Sequence, residues 1–293
     1  MEEQTKNWYD KNYKIMLFAP IIILTVCIIY IGVFYADTGD FFLKDSSLSG
    51  GTTITINGEI DSKSLEESLK AEFPDINSRE IKDFRSGRII ATIIDSSASP
   101  DDLKAGIEKF LGYKLDSNNS SIEFSGPALS RNFYKQLIIA IGISFVLMSF
   151  VIFFLFRSFI PSTAVIFAAF SDIIMSLAIV NFFGIKLSAA GIAAFLMLIG
   201  YSVDTDILLT TRVLKKREGS VNQRIYGSFR TGMFMTLTGL AAVLPAFFLI
   251  TGLPDSFRQI FLIVALGLSA DIINTWLTNA GIIKWYAERK GIK

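Results

Sequence analysis

The stretch Gly200-Tyr201-Ser202-Val203-Asp204-Thr205-Asp206-Ile207-Leu208-Leu209-Thr210-Thr211-Arg212 decides how this chain folds. It closes an apolar run that begins near Leu187 and is long enough to cross a bilayer, since about 20 helical residues span the hydrocarbon. The run carries two carboxylates, Asp204 and Asp206, and no basic residue before Arg212. A charge near the middle of a membrane costs about 3 kcal/mol or more. The two carboxylates must therefore face protein or water, or be neutral.

The pair Asp204 and Asp206 is the first candidate for function. Residues two apart point to nearly opposite sides of a helix, so the two acids cannot share one pocket unless the helix is distorted. Two acids in one span exceed what packing requires, and intramembrane carboxylates commonly serve proton relays. We expect Asp204 to be the carrier, buried about 12 Å from Arg212 beside a cavity in the membrane's inner half. Asp206 is the alternative carrier or a structural hydrogen-bonding group.

The composition is that of a membrane protein. Hydrophobic residues make up 51% of the chain and charged residues 19%, with a net charge of +1. A charge so near zero gives no sign of a nucleic-acid partner. The chain has no His and a single Cys, Cys27, which excludes an intrachain disulfide and His-based nucleophiles and argues against soft-metal sites. We expect no enzymatic activity, no metal and no cofactor.

Six apolar runs predict six membrane spans. The first, Ile15–Tyr35, is too long for a signal-peptide core and no cleavage pattern follows it, so we expect an uncleaved span. The break at Arg157–Pro161 predicts a tight hairpin. The chain then divides into residues 1–36 (the N-terminus and first span), residues 37–135 (a soluble domain) and residues 136–293 (a bundle of five spans). The later spans are predicted at Gln136–Phe156, Pro161–Phe183, Leu187–Thr210, Thr231–Ile250 and Phe257–Leu277.

The soluble domain reads as β-α-β-β-α-β, the order of a ferredoxin-like α+β sandwich. Its first helix starts at Asp61-Ser62 and is stopped by Pro74. Its second is capped by Ser99, has Pro100 in first position and ends at Gly112. A two-residue turn at Ser86-Gly87 joins the second and third strands. The strands are predicted at Gly51–Asn57, Arg79–Arg85, Arg88–Ile94 and Ser121–Ser125, and the buried helix residues are Leu65, Leu69, Phe73, Leu103, Ile107, Phe110 and Leu111.

Short-loop Lys and Arg residues predict the orientation. They are concentrated on the N-terminal side, which places both termini in the cytoplasm and residues 37–135 outside it. The pattern Asn118-Asn119-Ser120-Ser121 would then be accessible for N-glycosylation. An unmodified polar turn is the reading we favour. The N-terminal-side cations are Lys6, Lys11, Lys14, Arg157, six residues within 212–230 and four within 284–293, against Lys186 and Arg258 on the opposite side.

Two further spans carry acids, Asp172 in the third and Asp271 in the sixth. Asp271 begins a polar stripe with Asn274, Thr275 and Thr278 at helical spacing, and we favour an interhelical hydrogen-bond network for it. For Asp172 a functional and a structural role are left open. Arg230, which opens the fifth span, is a candidate partner for an acid of the fourth span near its inner end, or simply a flanking cation.

Several of these motifs together resemble a known family. Gly200-Tyr201-Ser202 with Ile207 and Arg212 is similar to the fourth span of the SecF family, in its archaeal form. Gly50-Gly51-Thr52 entering the first strand, and Ser220-Val221-Asn222-Gln223 leading to Arg230-Thr231, are similar as well. The order of one span, an outer domain and five spans matches over nearly the whole chain.

The resemblance implies a six-helix half-unit of the resistance-nodulation-division (RND) superfamily, with a ferredoxin-like domain between spans one and two. It implies a non-enzymatic subunit of the Sec protein-export machinery, which works in the lipid bilayer with SecD, beside the SecY channel and the translocating polypeptide. It also implies proton coupling through intramembrane acids. Bacterial members carry Asn-Asp-Thr after Gly-Tyr-Ser-x, whereas this chain has Asp204-Thr205-Asp206, so Thr205 stands at the usual acid position.

Two other functions compete with this one. A small-molecule exporter of the same superfamily is the first, although one six-helix half and a small outer domain are too little to form a substrate duct. A passive scaffold that holds SecD without using a gradient is the second. Replacing both Asp204 and Asp206 by Asn separates the scaffold from the gradient-driven subunit.

Overall fold

A computed structural model describes residues 8–83, 86–216, 219–249 and 255–292. In that part of the chain, ten α-helices and four strands are assigned. The first half contains α1 (Trp8–Thr38), α2 (Ser46–Ser49), β1 (Gly51–Asn57), α3 (Ser62–Leu69), β2 (Asn77–Lys82), β3 (Ile89–Ser96), α4 (Pro100–Leu111) and β4 (Ser120–Ser125). The second half contains α5 (Pro127–Phe156), α6 (Phe159–Phe182), α7 (Ala189–Lys215), α8 (Val221–Leu249), α9 (Asp255–Ile273), a π-helical segment (Asn274–Asn279) and α10 (Ala280–Arg289).

The predicted six spans are confirmed. Within the described ranges, six helices are long and apolar enough to cross a membrane, and α9, the π-helical segment and α10 form the last of them. The second span helix starts at Pro127, well before the predicted Gln136, because Pro127 in first position and the polar turns after it continue the helix. The hairpin before α6 is also found, with Arg157 in the left-handed region at φ 49°. Ile250, the predicted end of the fifth span, lies outside the described residues.

The α+β sandwich has the predicted order. Its four described strands lie in the order β2-β3-β1-β4, all antiparallel, and Ile54 of β1 is paired with Ile94 and Ile122 on its two sides. The apolar residues of α3 and α4 pack on one face of this sheet, since Leu65, Leu103 and Ile107 join Ile54 and Ile56 in one buried cluster. Asp61 and Ser99 cap the two helices as expected, each accepting backbone N–H groups of the first turn.

Three details of the domain differ from the sequence prediction. β2 ends at Lys82 and β3 begins at Ile89 rather than Arg88, and between them Asp83 Oδ1 accepts the Ser86 amide at 2.6 Å. Residues 84 and 85, part of the predicted second strand, lie outside the described ranges. α3 ends at Leu69, one turn before Pro74, although Phe73 is still buried. Phe110, expected in the core, is 39% exposed because it lies beside the stripe that faces the sheet.

The sheet domain is joined to the helix bundle by the segment Leu43–Ser49, which we call the junction. It pairs with the loop between α6 and α7: Leu187 N donates to Leu43 O at 2.7 Å and Asp45 N donates to Leu187 O at 3.0 Å. An ion pair also connects the same loop to the sheet, since Lys186 Nζ lies 3.4 Å from Asp95 Oδ2. The loop that connects two membrane helices is therefore fixed to the sheet domain.

Asp45 organises the junction. Its carboxylate caps α2, accepting Ser47 N at 2.9 Å and Ser47 Oγ at 2.6 Å. Burial raises the pKa of Asp45 to about 7, and the nearby Asp95 adds to the rise, while the Ser47 hydrogen bonds and Arg79 oppose it. Asp45 therefore changes its charge near neutral pH, at the point where the two parts of the protein meet.

The Gly50-Gly51 pair enters β1 with no room for side chains. A Cβ on Gly51 would lie 2.4 Å from Ser96 O, at a backbone φ of 128°. We predict that Gly51→Ala lowers the melting temperature of the detergent-solubilised protein, through backbone strain of about 1–3 kcal/mol and the overlap with β3. Gly58→Ala is the matched control, because its φ of 118° is similar and nothing lies within 4 Å of a Cβ there. Equal losses in the two variants would show that the overlap at Gly51 is unimportant.

The pH dependence of Asp45 gives a second prediction. Because the folded pKa of about 7 lies above the ordinary 3.8, the stabilisation is fully present below about pH 4 and is lost as the pH rises to about 7. We predict that Asp45→Asn reduces the fall in melting temperature between pH 5 and pH 8. The control is Asp61→Asn at an exposed helix cap, since the pKa of Asp61 is lowered by hydrogen bonds from Ser64. An unchanged pH profile in Asp45→Asn would contradict this assignment.

Candidate functional site

Three membrane helices bring three carboxylates to one depth of the bundle. Asp172 lies on α6, Asp206 on α7 and Asp271 on α9, and each is completely buried. The helices approach closely because small residues lie between them. At Gly267 of α9 a Cβ would lie only 2.2 Å from Leu198 Cδ1 of α7. The acids are thus enclosed by helix packing rather than exposed to lipid.

Asp172 is held by two neighbouring helices. The Ser202 hydroxyl of α7 donates a hydrogen bond to Asp172 Oδ2. Asn274 Nδ2, at the start of the π-helical segment, donates to Asp172 Oδ1 at 2.6 Å. Both carboxyl oxygens of Asp172 therefore have donors from outside α6.

Asp206 and Asp271 share one hydroxyl group. Thr275 Oγ1 lies 2.8 Å from Asp206 Oδ1 and 2.8 Å from Asp271 Oδ1. Thr205 Oγ1 lies 3.0 Å from both oxygens of Asp271, and Asn279 Nδ2 donates to Asp206 Oδ1 at 2.6 Å. Asp206 Oδ2 is buried and has no hydrogen-bond partner in the described part of the chain. Asp206 is therefore the carboxyl group with an oxygen left open.

The π-helical segment Asn274–Asn279 supplies three of the groups that contact the acids. From this segment, Asn274 reaches Asp172 of α6, and Thr275 and Asn279 reach Asp206 of α7. Single π turns of this kind recur at functional sites in helices. Asp271, Asn274 and Thr275 make the interhelical hydrogen bonds that the favoured network predicts. The hydroxyl of the fourth stripe residue, Thr278, is buried without a hydrogen bond among the described residues.

The expected burial of Asp204 is wrong. Asp204 is exposed on the outer face of α7, whereas Asp206 is fully buried. The reason is the helical geometry already noted, since two acids two residues apart face nearly opposite ways. Ser202 and Thr205, on the Asp206 side, face α6 and α9, so that side is the one that packs inward.

The two arginines at the far end of the bundle have different surroundings. Arg212 Nη1 donates to Gly227 O at 2.6 Å and to Thr231 Oγ1 at 3.1 Å, which ties the end of α7 to α8. Arg230 is exposed and makes no contact with an acid in the part of the chain described. Of the two alternatives for Arg230, the pairing with an acid of the fourth span is therefore not found among the described residues.

The other family-motif residues are placed as follows. Tyr201 is 54% exposed and Gly200 has no neighbour within 4 Å of a Cβ, so both lie on the outer face of α7 with Asp204. Thr52 Oγ1 donates to Ala98 O at 2.7 Å and fixes the start of β1. Sequence reasoning missed the role of Asn279. The stripe Asp271-Asn274-Thr275-Thr278 continues to it at the next helical step, and that signal would have found it.

The cluster suits a shared proton better than a metal ion. Within the described residues, no grouping of His, Cys, Asp and Glu has a geometry that would hold a metal, and no cation contacts the three acids. A hydroxyl donates one hydrogen bond, yet Thr275 Oγ1 lies at hydrogen-bond distance from two carboxyl groups. The second contact is a hydrogen bond only when one of these carboxyl groups carries a proton. The geometry therefore accommodates one proton between Asp206 and Asp271.

Comparison with known proteins decides the family. The C-terminal family of the protein export membrane proteins SecD and SecF matches residues 107–289. The chain belongs to the SecD/SecF family of protein-export membrane proteins. Among its relatives, the protein-export membrane protein SecF of Methanocaldococcus jannaschii is 38% identical, over 94% of this chain and 96% of the relative. The SecF of Methanolacinia petrolearia is 37% identical, over 97% of this chain and 98% of the relative.

A solved structure shows the same fold. The crystal structure of SecDF from Thermus thermophilus, a translocon-associated membrane protein, matches with a TM-score of 0.77 at 19% identity. The match covers 97% of this chain and 39% of the SecDF chain, so this SecF-family chain spans well under half of that longer protein. The predicted fold class, six membrane helices with a small α+β domain between the first and second, is confirmed. The relatives are named as export subunits, which is a transport role.

The close approach of α7 and α9 can be tested with a pair of glycines. We predict that Gly267→Ala lowers the melting temperature, because the buried Leu198 must move and overpacking costs about 1–3 kcal/mol. Gly200→Ala, on the open face of α7, should leave it unchanged or raise it, since alanine favours a helix by about 1 kcal/mol over glycine. Thermal unfolding in detergent measures both. A stable Gly267→Ala would mean that α7 and α9 are packed more loosely than described.

Proposed function

We propose that this chain works with SecD beside the SecY channel and couples the proton gradient to export of the translocating polypeptide. The proposal rests on Asp206 and Asp271, whose carboxyl groups are bridged by the Thr275 hydroxyl. Within the described residues, no cation contacts either carboxyl group. Three carboxylates cannot all be ionised at this depth without a compensating charge, because each buried anion is costly. A proton that is held between two of them can be released when the helices move.

Asp206 is the carrier in this proposal, and it replaces Asp204. Both oxygens of Asp172 accept hydrogen bonds and both oxygens of Asp271 lie 3.0 Å from the Thr205 hydroxyl, while Asp206 Oδ2 is buried with no hydrogen-bond partner among the described residues. An open oxygen can take up a proton without breaking an existing bond. Asp172 is hydrogen-bonded to the same π-helical segment through Asn274, so a change in the charge of Asp206 can alter the hydrogen bonds that hold α6.

The outer face of α7 supports a hetero-oligomer. Met197, Tyr201 and Asp204 are exposed there at helical spacing. A carboxylate in a membrane span must face protein or water. We propose that the membrane part of SecD covers this face. The cytoplasmic position of both termini, and a sheet domain outside the cytoplasm, follow from the Lys and Arg counts and complete the proposed topology.

The test compares two carboxamides in one helix. We predict that Asp206→Asn abolishes the stimulation of export by a proton gradient, while Asp204→Asn retains it. Asparagine keeps the size of the side chain and removes its titration. Export of a precursor into vesicles is measured with and without an ionophore that collapses the gradient, and copurification of SecD controls for assembly.

Each other outcome is informative. If only Asp204→Asn loses the gradient effect, Asp204 is the carrier after all. If the double variant Asp204→Asn/Asp206→Asn keeps the gradient effect, neither residue carries protons and the scaffold function replaces the proposal. Loss of SecD binding in Asp206→Asn alone would give the residue a structural role.

A further inference from the structure

A cavity of about 810 Å³ lies between α1, α8 and the π-helical segment, at the end of the bundle away from the sheet domain. Its volume is within the range that accepts small-molecule ligands. Much of its wall is apolar and aromatic, from Met16, Phe229 and Trp276. The rings of Phe229 and Trp276 meet edge to face at 5.2 Å, which makes a rigid wall. This cavity is separate from the acids, which lie on the opposite side of the π-helical segment.

The cavity is amphipathic along the direction of the membrane normal. Asn222 and Gln223, in the first turn of α8, line its polar end. Deeper along α8, the side chain of Phe234 is 75% exposed on the surface that would face lipid. Arg230 and Trp276 lie between these two regions, and Arg and Trp are the residue types that anchor proteins at the membrane interface. The cavity therefore spans the layer where lipid headgroups meet acyl chains.

Arg230 supplies the charge of this cavity. It is the charged residue among those lining it, and no acid contacts it in the described chain. The nearby Lys284 is different, because its ammonium is held by Asn222 Oδ1 at 2.7 Å and by the rings of Tyr9 and Tyr13. Both cations make the polar end positive. A guanidinium binds phosphate oxygens through two parallel hydrogen bonds, and basic pockets between membrane helices hold acidic lipid headgroups.

We propose that this cavity binds an acidic phospholipid, with its phosphate on Arg230 and an acyl chain along Phe229 and Trp276. The apolar wall distinguishes a lipid from free phosphate, which has nothing to place there. The site is next to the proposed proton carrier, because Trp276 is flanked by Thr275 and is in the same π-helical segment as Asn279. A lipid in this cavity would pack against the π-helical segment, which contacts Asp206 through Thr275 and Asn279.

Trp276 makes the proposal measurable. The chain has three tryptophans, so Trp8→Phe/Trp285→Phe leaves Trp276 as the single fluorophore in the full chain. The protein is placed in vesicles of phosphatidylcholine that contain increasing fractions of brominated phosphatidylglycerol or brominated phosphatidylcholine. Bromine on the acyl chains quenches a tryptophan that they touch. We expect half-maximal quenching at an about fivefold lower fraction of the acidic lipid.

Two variants separate the site from general attraction to charge. Arg230→Gln should remove the preference for phosphatidylglycerol, and Arg230→Lys should keep part of it. Lys216→Gln is the matched control, since Lys216 is an exposed cation at the same end of the bundle and does not line the cavity. Equal quenching by both lipids, no quenching by either, or a preference that survives in Arg230→Gln would each overturn the proposal.

Discussion

Burial of three carboxylates at one depth of a helix bundle is the constraint on which the rest of this structure depends. Asp172, Asp206 and Asp271 come from three helices, and none of them has a cation in contact within the described residues. Hydroxyl and amide groups must therefore satisfy the carboxyl oxygens, because unpaired polar groups are costly in a low-dielectric interior. Asn274, Thr275 and Asn279 supply such groups from one π-helical segment to acids on two neighbouring helices.

The sheet domain is connected to this cluster through a short loop. Asp172 and Asp206 lie on α6 and α7, and the loop between these helices pairs with the junction and contacts Asp95 through Lys186. The sheet domain therefore contacts the loop between the two helices that carry these acids. The connection is contiguous through backbone hydrogen bonds and an ion pair. Asp45 adds a charge that changes near neutral pH to the same place.

Sequence patterns predicted the helices and strands well, and the side-chain packing inside the helix bundle less well. Apolar runs located the six spans because a membrane helix must satisfy its backbone hydrogen bonds within its own segment, whatever helices pack beside it. β-Branched alternation and helix caps located the sandwich, since those signals are local. The choice of Asp204 over Asp206 was wrong about burial because it needed the identity of the packed face, and that is set by α6 and α9. The π-helical segment leaves no mark in composition or period, whereas Asn279 continues the polar stripe of Asp271 at helical spacing and could have been found from it.

The two acids of α7 lie on opposite sides of that helix and have different surroundings. Asp206 on the inner side joins the network with α6 and α9, whereas Asp204 on the outer side lies beside Tyr201, on the open face. A membrane helix that is polar on both sides cannot be satisfied by its own bundle alone, because the outer carboxylate would then meet hydrocarbon. Thr205 between them carries no charge, and its hydroxyl contacts Asp271 and the Ser202 carbonyl oxygen. The spacing Asp-Thr-Asp therefore places one acid inside the bundle and one at its surface, and rotation or tilt of α7 would move both together.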